Sequence, residues 1–257
     1  MSKFFKPQQQ SVQSHEQLQA WFQTEIGQQL LEAERRTVNR LLPNLFGYHL
    51  VEVSLDPAIE LSTESLIGHR VLLSPRHKLG LPAHALLSEA TELPFEHDSI
   101  DVVLLHHSLD FTDNPHQVLR EATRVLRPGG HLVIVGFNPL SWWGVRRFCC
   151  TKRIRAPWQQ GHFISHRRLN DWMSLLGLTE LRNMTDFYFP PFVSATWRRR
   201  FERLQAYGRR SMPKNGAFMV SLARKDVEGM TRVKQLVFPR KFIRLPVRKA
   251  ATRNSVK

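Results

Sequence analysis

The chain has 257 residues, 42% of them hydrophobic, which is enough for one sizeable domain with extensions. No apolar run approaches the roughly 18 to 20 residues of a membrane-spanning helix, and the N-terminus lacks the apolar core of a secretory signal. The net charge of +15 lies wholly at the end: Thr196–Lys257 carries 18 Lys+Arg against 3 Asp+Glu, and Met1–Ala195 carries 19 against 19.

Residues 14–42 read as helical, because Leu18, Trp21, Phe22, Ile26, Leu30 and Val38 fall near helical spacing. Gly27 weakens the middle of this stretch and Pro43 ends it. A strand follows at Tyr48–Val53. Then come a polar segment with helical potential, Ala58–Ile67, an apolar run at Val71-Leu72-Leu73, and a short strand near Ala85-Leu86-Leu87. The continuous run Val102–Leu105 has the character of a parallel strand buried on both faces. Next is a helix with Asn114 as N-cap, Pro115 as first helical residue and one face formed by Val118, Leu119, Ala122, Val125 and Leu126, stopped by Pro128-Gly129-Gly130. A buried strand at 131–137, helices near 141–149 and 166–176, and strands near 178–189 and 216–223 complete the series. Strand and helix alternate, which predicts right-handed crossovers and a parallel sheet with helices on both faces. In such α/β sheets the ligand sits at the carboxyl ends of the strands.

The stretch ATELPFEHDSIDVVLLHHSLDFTDNPHQVLREATRVLRPGGHLVIVGFNP carries more than periodicity. Its Ala90, Leu93-Pro94-Phe95, Asp98-Ser99-Ile100-Asp101, Leu119, Ala122, Arg124-Val125-Leu126 and Pro128-Gly129-Gly130 resemble the class I S-adenosylmethionine-dependent methyltransferases of the "methyltransferase type 11" kind. The close match covers about 50 residues, and the order of elements extends it from Tyr48 to Arg224. The segments LFGYHL, GFNPLSWWGVRR and RLNDWMSLLGL look like a bacterial subgroup of short, basic-tailed members. The resemblance implies a Rossmann-like α/β fold with a seven-stranded sheet, order 3-2-1-4-5-7-6 and the last strand antiparallel. It implies a methyltransferase domain (46–225), which helical spacing and charge flank with an N-terminal helical extension (1–45) and a basic tail (226–257). The implied activity is methyl transfer from S-adenosylmethionine to an unidentified acceptor.

By the same resemblance, Glu52, Ser54, Asp56, Ser74, Glu89, Ala90 and His106 occupy cofactor-binding positions. The chain departs from the family pattern at three places. Ser54, Asp56 and Ala58 replace the glycines after strand 1. Ser74, 20 residues beyond Ser54, stands where a carboxylate normally holds the ribose hydroxyls. Glu89 replaces the Asp that reads the adenine amino group. Losing the ribose carboxylate removes charge-assisted hydrogen bonds of roughly 1.5 to 3 kcal/mol each.

Methyl transfer from a sulfonium needs proximity and orientation more than acid catalysis, so no triad or metal is required. His106, His107 and Asn138, after strands 4 and 5, are the candidates for the reacting end, where a histidine takes a proton from the acceptor. Trp142 and Trp143 read either as a substrate wall or as anchors of a helix. Asp101 reads as structural. The twelve histidines show no H-x-x-x-H or comparable ligand spacing. Two other readings stay open: a methyltransferase-fold protein that binds or regulates without catalysing, and a protein that meets nucleic acid through its basic tail. The adjacent cysteines, Cys149 and Cys150, fit reduced thiols in a cytoplasmic protein.

Overall fold

A computed structural model describes residues 16–56, 58–75, 81–149, 156–191 and 214–226, together with Gly208, Arg210 and Met212. The strands are β1 (His49–Ser54), β2 (His69–Ser74), β3 (Ala85–Leu87), β4 (Ile100–His106), β5 (Leu126–Phe137), β6 (Leu178–Asp186) and β7 (Phe218–Lys225). They form one seven-stranded sheet in the order β3-β2-β1-β4-β5-β7-β6. β1 pairs in parallel with β2 and β4, β2 with β3, and β4 with β5, whereas β7 runs antiparallel to β5 and β6. Order and direction are those the family resemblance implies. The basic tail lies, beyond Asp226, outside the described residues.

The helices are α1 (16–22), α2 (Glu25–Val38), α3 (Pro115–Val125), α4 (Trp142–Cys149) and α5 (His166–Leu175). β4 is buried along its whole length, so consecutive side chains feed two cores. Val102 and Leu104 face a cluster with Leu18, Phe22, Leu30 and Val38 of the first helices and with Trp143 and Trp158. Val103 and Leu105 face the other cluster, closed by Val118 and Leu119 of α3 and Leu169 and Met173 of α5. The N-terminal extension, in its described part, is thus built into the main core. None of the described helices is long and apolar enough to cross a membrane.

Three details differ from the sequence expectation. The single helix over 14–42 is two, because Thr24 caps α2 by accepting from the Gly27 N–H at 3.3 Å. Gly27 is what lets the two helices touch: an added Cβ would strike the Trp21 carbonyl oxygen and lie 2.7 Å from Phe22 Cα. Gly27→Ala is therefore expected to destabilise the protein by about 1–3 kcal/mol, the usual range for overpacking, despite alanine's higher helix propensity. A gain in stability on urea unfolding would contradict this packing.

Second, Ala58–Ile67 is a series of turns rather than a helix. The Leu61 and Ser62 N–H groups donate to the Glu52 carboxylate at 2.8 and 3.0 Å, and Ser62, Thr63 and Ser65 favour such local alternatives to helix. Third, α3 ends at Val125 and Pro128-Gly129-Gly130 lies within β5. Leu126 is already extended and pairs with Ile100, a register shift follows, and Gly129 takes the left-handed φ of 83°.

Asp101 has the structural role expected of it. Its Oδ2 accepts from Tyr48 N and His49 N at 2.8 and 2.9 Å, and its Oδ1 from Arg127 at 2.7 Å, fastening the start of β1 to β4 and β5.

Candidate active site

The parallel strands end on one edge. Ser54, His106 and Val135 are in register there, and Ser74 pairs with Leu87 alongside. Ser54, Ser74 and His106 thus share the carboxyl edge of neighbouring strands, and Glu89 and Ala90 follow β3. Glu89 is exposed, and Ala90 is half-buried against the α3-side core. The Ser74 carbonyl accepts from Ser88 N at 3.1 Å, and the Glu89 carbonyl from Glu92 N at 3.1 Å, which shapes the loop after β3.

The turn after β1 is built by side chains in place of glycine. Asp56 Oδ1 accepts from Ala58 N at 3.0 Å, and the Ser54 hydroxyl donates to the Asp56 carbonyl at 3.0 Å. Short Asp and Ser side chains make such turns by mimicking backbone hydrogen bonds. Asp56 is buried, and its carboxylate is engaged with the turn. Glu52 is buried too, with both carboxylate oxygens on the backbone of 61–62. Burial pushes its carboxyl up to about 7, against the pull of those N–H donors.

Beyond β4 lies a buried cluster. His106 Nδ1 lies 3.3 Å from Ser54 Oγ and Nε2 3.2 Å from Glu34 Oε2. His107 Nε2 lies 3.0 Å from Glu34 Oε1 and Nδ1 2.8 Å from Asp110 Oδ2, which also accepts from Phe137 N at 2.9 Å. A Cβ at residue 136 would meet both Asp110 oxygens at 3.3 Å, so Gly136 makes room for that carboxylate. His107 holds a left-handed φ of 51°, a conformation with a cost of roughly 1–2 kcal/mol that aims its ring inward.

Burial opposes ionisation of Glu34, but the charge on His107 and hydrogen bonds from both histidines hold its carboxyl down to about 2. Burial opposes protonation of His107 as well, yet the Glu34 charge and the Asp110 and Glu34 hydrogen bonds lift it to about 9. Burial lowers His106 and raises Asp110. Spacing along the chain does not disclose this group, because Glu34 is 72 residues from His106. A signal exists: Leu30, Glu34 and Val38 sit four residues apart, which places a carboxylate in the apolar stripe of α2.

Asn138 is a staple between segments. Its Nδ2 donates to the Lys214 and Gly216 carbonyls at 2.7 and 2.9 Å, and its Oδ1 accepts from Leu140 N at 3.0 Å. Of the two tryptophans, Trp143 is the anchor: it is buried against Trp21, Trp158 and Phe187, and its Nε1 donates to the Phe189 carbonyl at 2.8 Å. Trp142 is 56% exposed.

A second feature on this side is a cavity of about 320 Å³ between the start of α3, α4 and α5, lined by Asp113, His116, Arg147, His162, Arg168 and Trp172 among others. Arg147 lies over the Phe163 ring at 5.2 Å, Arg168 over Trp172 at 5.3 Å, and the His116 ring lies 3.7 Å from Trp172. The cavity wall is tied to the end of β4, since His162 N donates to the Asp110 carbonyl. This cavity is not legible in the sequence, because its walls come from three separate helices and the loops before α3 and α5.

A family model described as "Methyltransferase domain" matches residues 47–134, the span from just before β1 into β5. The uncharacterized protein YafS of Escherichia coli is 34% identical over 173 residues, 67% of this chain and 69% of that protein. The mitochondrial 2-methoxy-6-polyprenyl-1,4-benzoquinol methylase of Mus musculus is 34% identical over 89 residues, 34% of this chain and 27% of that one. Among solved structures, a SAM-dependent methyltransferase from Thermotoga maritima aligns with TM-score 0.58 at 20% identity, covering 76% of this chain and 89% of its own. One from Archaeoglobus fulgidus aligns with TM-score 0.55 at 13% identity, covering 76% and 94%. Sheet order, strand directions and sequence agree, and the chain belongs to the class I S-adenosylmethionine-dependent methyltransferase family.

Proposed function

We propose that this protein is a methyltransferase that uses S-adenosylmethionine, bound along the carboxyl edge of β1, β2 and β3. The observation that supports it is the meeting of Ser54, Ser74 and His106 on that edge, in the part of the chain that matches the family. The cofactor, when bound, supplies an electrophilic methyl group on a sulfonium. The residues that fit it are two neutral hydroxyls, at Ser54 and Ser74, and one exposed carboxylate, at Glu89. The Asx-type turn at Asp56 gives the close backbone approach that glycines provide elsewhere. Without a ribose carboxylate the affinity is expected to be low, about tenfold or more weaker per lost charged hydrogen bond.

The basic, aromatic cavity beside α5 is the acceptor site in this reading. Two guanidiniums and two imidazoles against one carboxylate favour an anionic group, and Trp172 and Phe163 favour a flat or apolar body next to it. Orientation there is the chain's main contribution to rate.

Titration calorimetry with S-adenosylhomocysteine tests the proposal. Weak, saturable binding is expected, and Glu89→Ala should weaken it by about tenfold. Arg168→Ala should leave this binding within about twofold while lowering turnover of an anionic acceptor, because Arg168 lines the cavity and is not among the residues of the cofactor edge. No heat at millimolar ligand would instead identify a methyltransferase fold that works without catalysing.

A further inference from the structure

We propose that Glu34, His106 and His107 form a buried binding site for a divalent transition-metal ion of the zinc class, which clamps helix α2 onto the end of β4. Their ligating atoms all lie within 4.8 Å of one another. Glu34 presents its two oxygens to different histidines, at 3.0 Å to His107 Nε2 and 3.2 Å to His106 Nε2. Ligand atoms bound at 2.0–2.2 Å around one zinc-class ion stand roughly 3.0–3.5 Å apart, so the two histidine–glutamate separations match, and the imidazoles need only close around the ion.

The atoms behind the ligands carry the argument further. Asp110 Oδ2 accepts from Phe137 N and faces His107 Nδ1 at 2.8 Å. A carboxylate oxygen in that position accepts, so His107 Nδ1 bears a hydrogen. The single hydroxyl proton of Ser54 goes to the Asp56 carbonyl at 3.0 Å, which is shorter than its 3.3 Å approach to His106 Nδ1. His106 Nδ1 is then the donor of that pair. With hydrogens on both Nδ1 atoms, both Nε2 atoms are left facing the same carboxylate, the arrangement in which a single ion reaches all three groups. Protons on the two Nε2 atoms also satisfy these contacts, so the ion and those protons compete for one place between Phe22 and Phe137, where the ring centres lie 4.8 Å apart.

This is also how metal-bound histidines are usually held, with the far ring nitrogen donating to a carboxylate or other acceptor. His107 keeps its left-handed backbone to reach that position. Two imidazoles and one carboxylate suit zinc, cobalt or ferrous iron, and the fourth position that three donors leave is shut off from solvent by the burial of all three. The ion would join α2 to strand β4 beside Ser54, and so set the wall of the cofactor edge. The site does not depend on the methyltransferase reading and assigns His106 to the clamp.

The test uses the full chain, stripped with chelator, dialysed, and titrated with Co²⁺ and Zn²⁺. One equivalent per chain is expected, with the visible absorption of a low-coordinate Co²⁺ site. The melting midpoint should rise by roughly 5 °C or more at hundredfold excess of ion over Kd. His106→Gln removes a ligand and should abolish the absorption. Because that variant alters the core, Ser54→Ala is the second probe: it keeps all three ligands and should lower affinity by about 10- to 100-fold. The proposal is overturned if the stripped wild type takes up no stoichiometric Co²⁺, or if Zn²⁺ leaves its midpoint unchanged. It also fails if His106→Gln binds as tightly as wild type, which would place the ion on other histidines. In each of these cases the cluster is held by protons alone.

Discussion

Trp143→Ala is expected to lower the unfolding free energy by about 3–5 kcal/mol, the range for emptying a buried large aromatic site. Trp143 is 1% exposed and stands among Trp21, Phe137, Trp158 and Phe187. Its ring joins four parts of the chain: α1, the end of β5, the 3₁₀ turn Pro157–Gln160, and the loop after β6. Truncation leaves a cavity and also strands the Phe189 carbonyl that accepts from Nε1. Trp142→Ala, one residue away, should change stability by about 0.5 kcal/mol or less, because that side chain is largely in solvent. Urea midpoints measured side by side decide the matter. Similar losses at both positions would mean that α4 is not anchored as described.

Stability should also fall as pH rises through the range set by Glu52. This carboxyl is fully buried, and burial lifts it from 4.5 to about 7. A raised carboxyl binds its proton more tightly in the folded chain than in the unfolded one. Its contribution is therefore complete below about pH 4.5, is lost between about 4.5 and 7, and is absent above. The size is about 3 kcal/mol, from 1.36 kcal/mol per pH unit. Glu52→Gln cannot titrate. Its own offset is fixed, because the amide opposes one of the N–H donors at Leu61 and Ser62. Wild type should thus lose about 3 kcal/mol relative to Glu52→Gln across that window. A difference that stays constant from pH 4.5 to 7 would show that the two backbone donors keep Glu52 ionised throughout.

How much of this was legible beforehand depended on range along the chain. Strands β1, β4 and β5 were visible as apolar runs, since a parallel strand buried on both faces has to be apolar at consecutive positions. The pairing of Asn114 and Pro115 placed the start of α3 correctly, although the Asn114 side chain makes no cap hydrogen bond. The break at Thr24 was missed because the apolar period continues across it, and the turns at 58–67 were missed because they depend on a carboxylate in the preceding strand.

Sequence by itself determined the α/β class, because alternation of strand and helix admits few right-handed parallel arrangements, and its resemblance to a family supplied the strand order and the edge for the candidate site. It also placed Ser54, Ser74 and His106 on that edge, since each stands at the end of its own strand. The roles of the neighbouring side chains were decided only by tertiary structure. Asn138 turned to the backbone of 214–216, Glu52 to that of 61–62, and Glu34 crossed from α2 to the two histidines. A side chain's period shows whether it is buried. Which partner satisfies it is set by elements packed from far along the chain, and a buried polar group takes whichever partner that packing brings within about 3 Å.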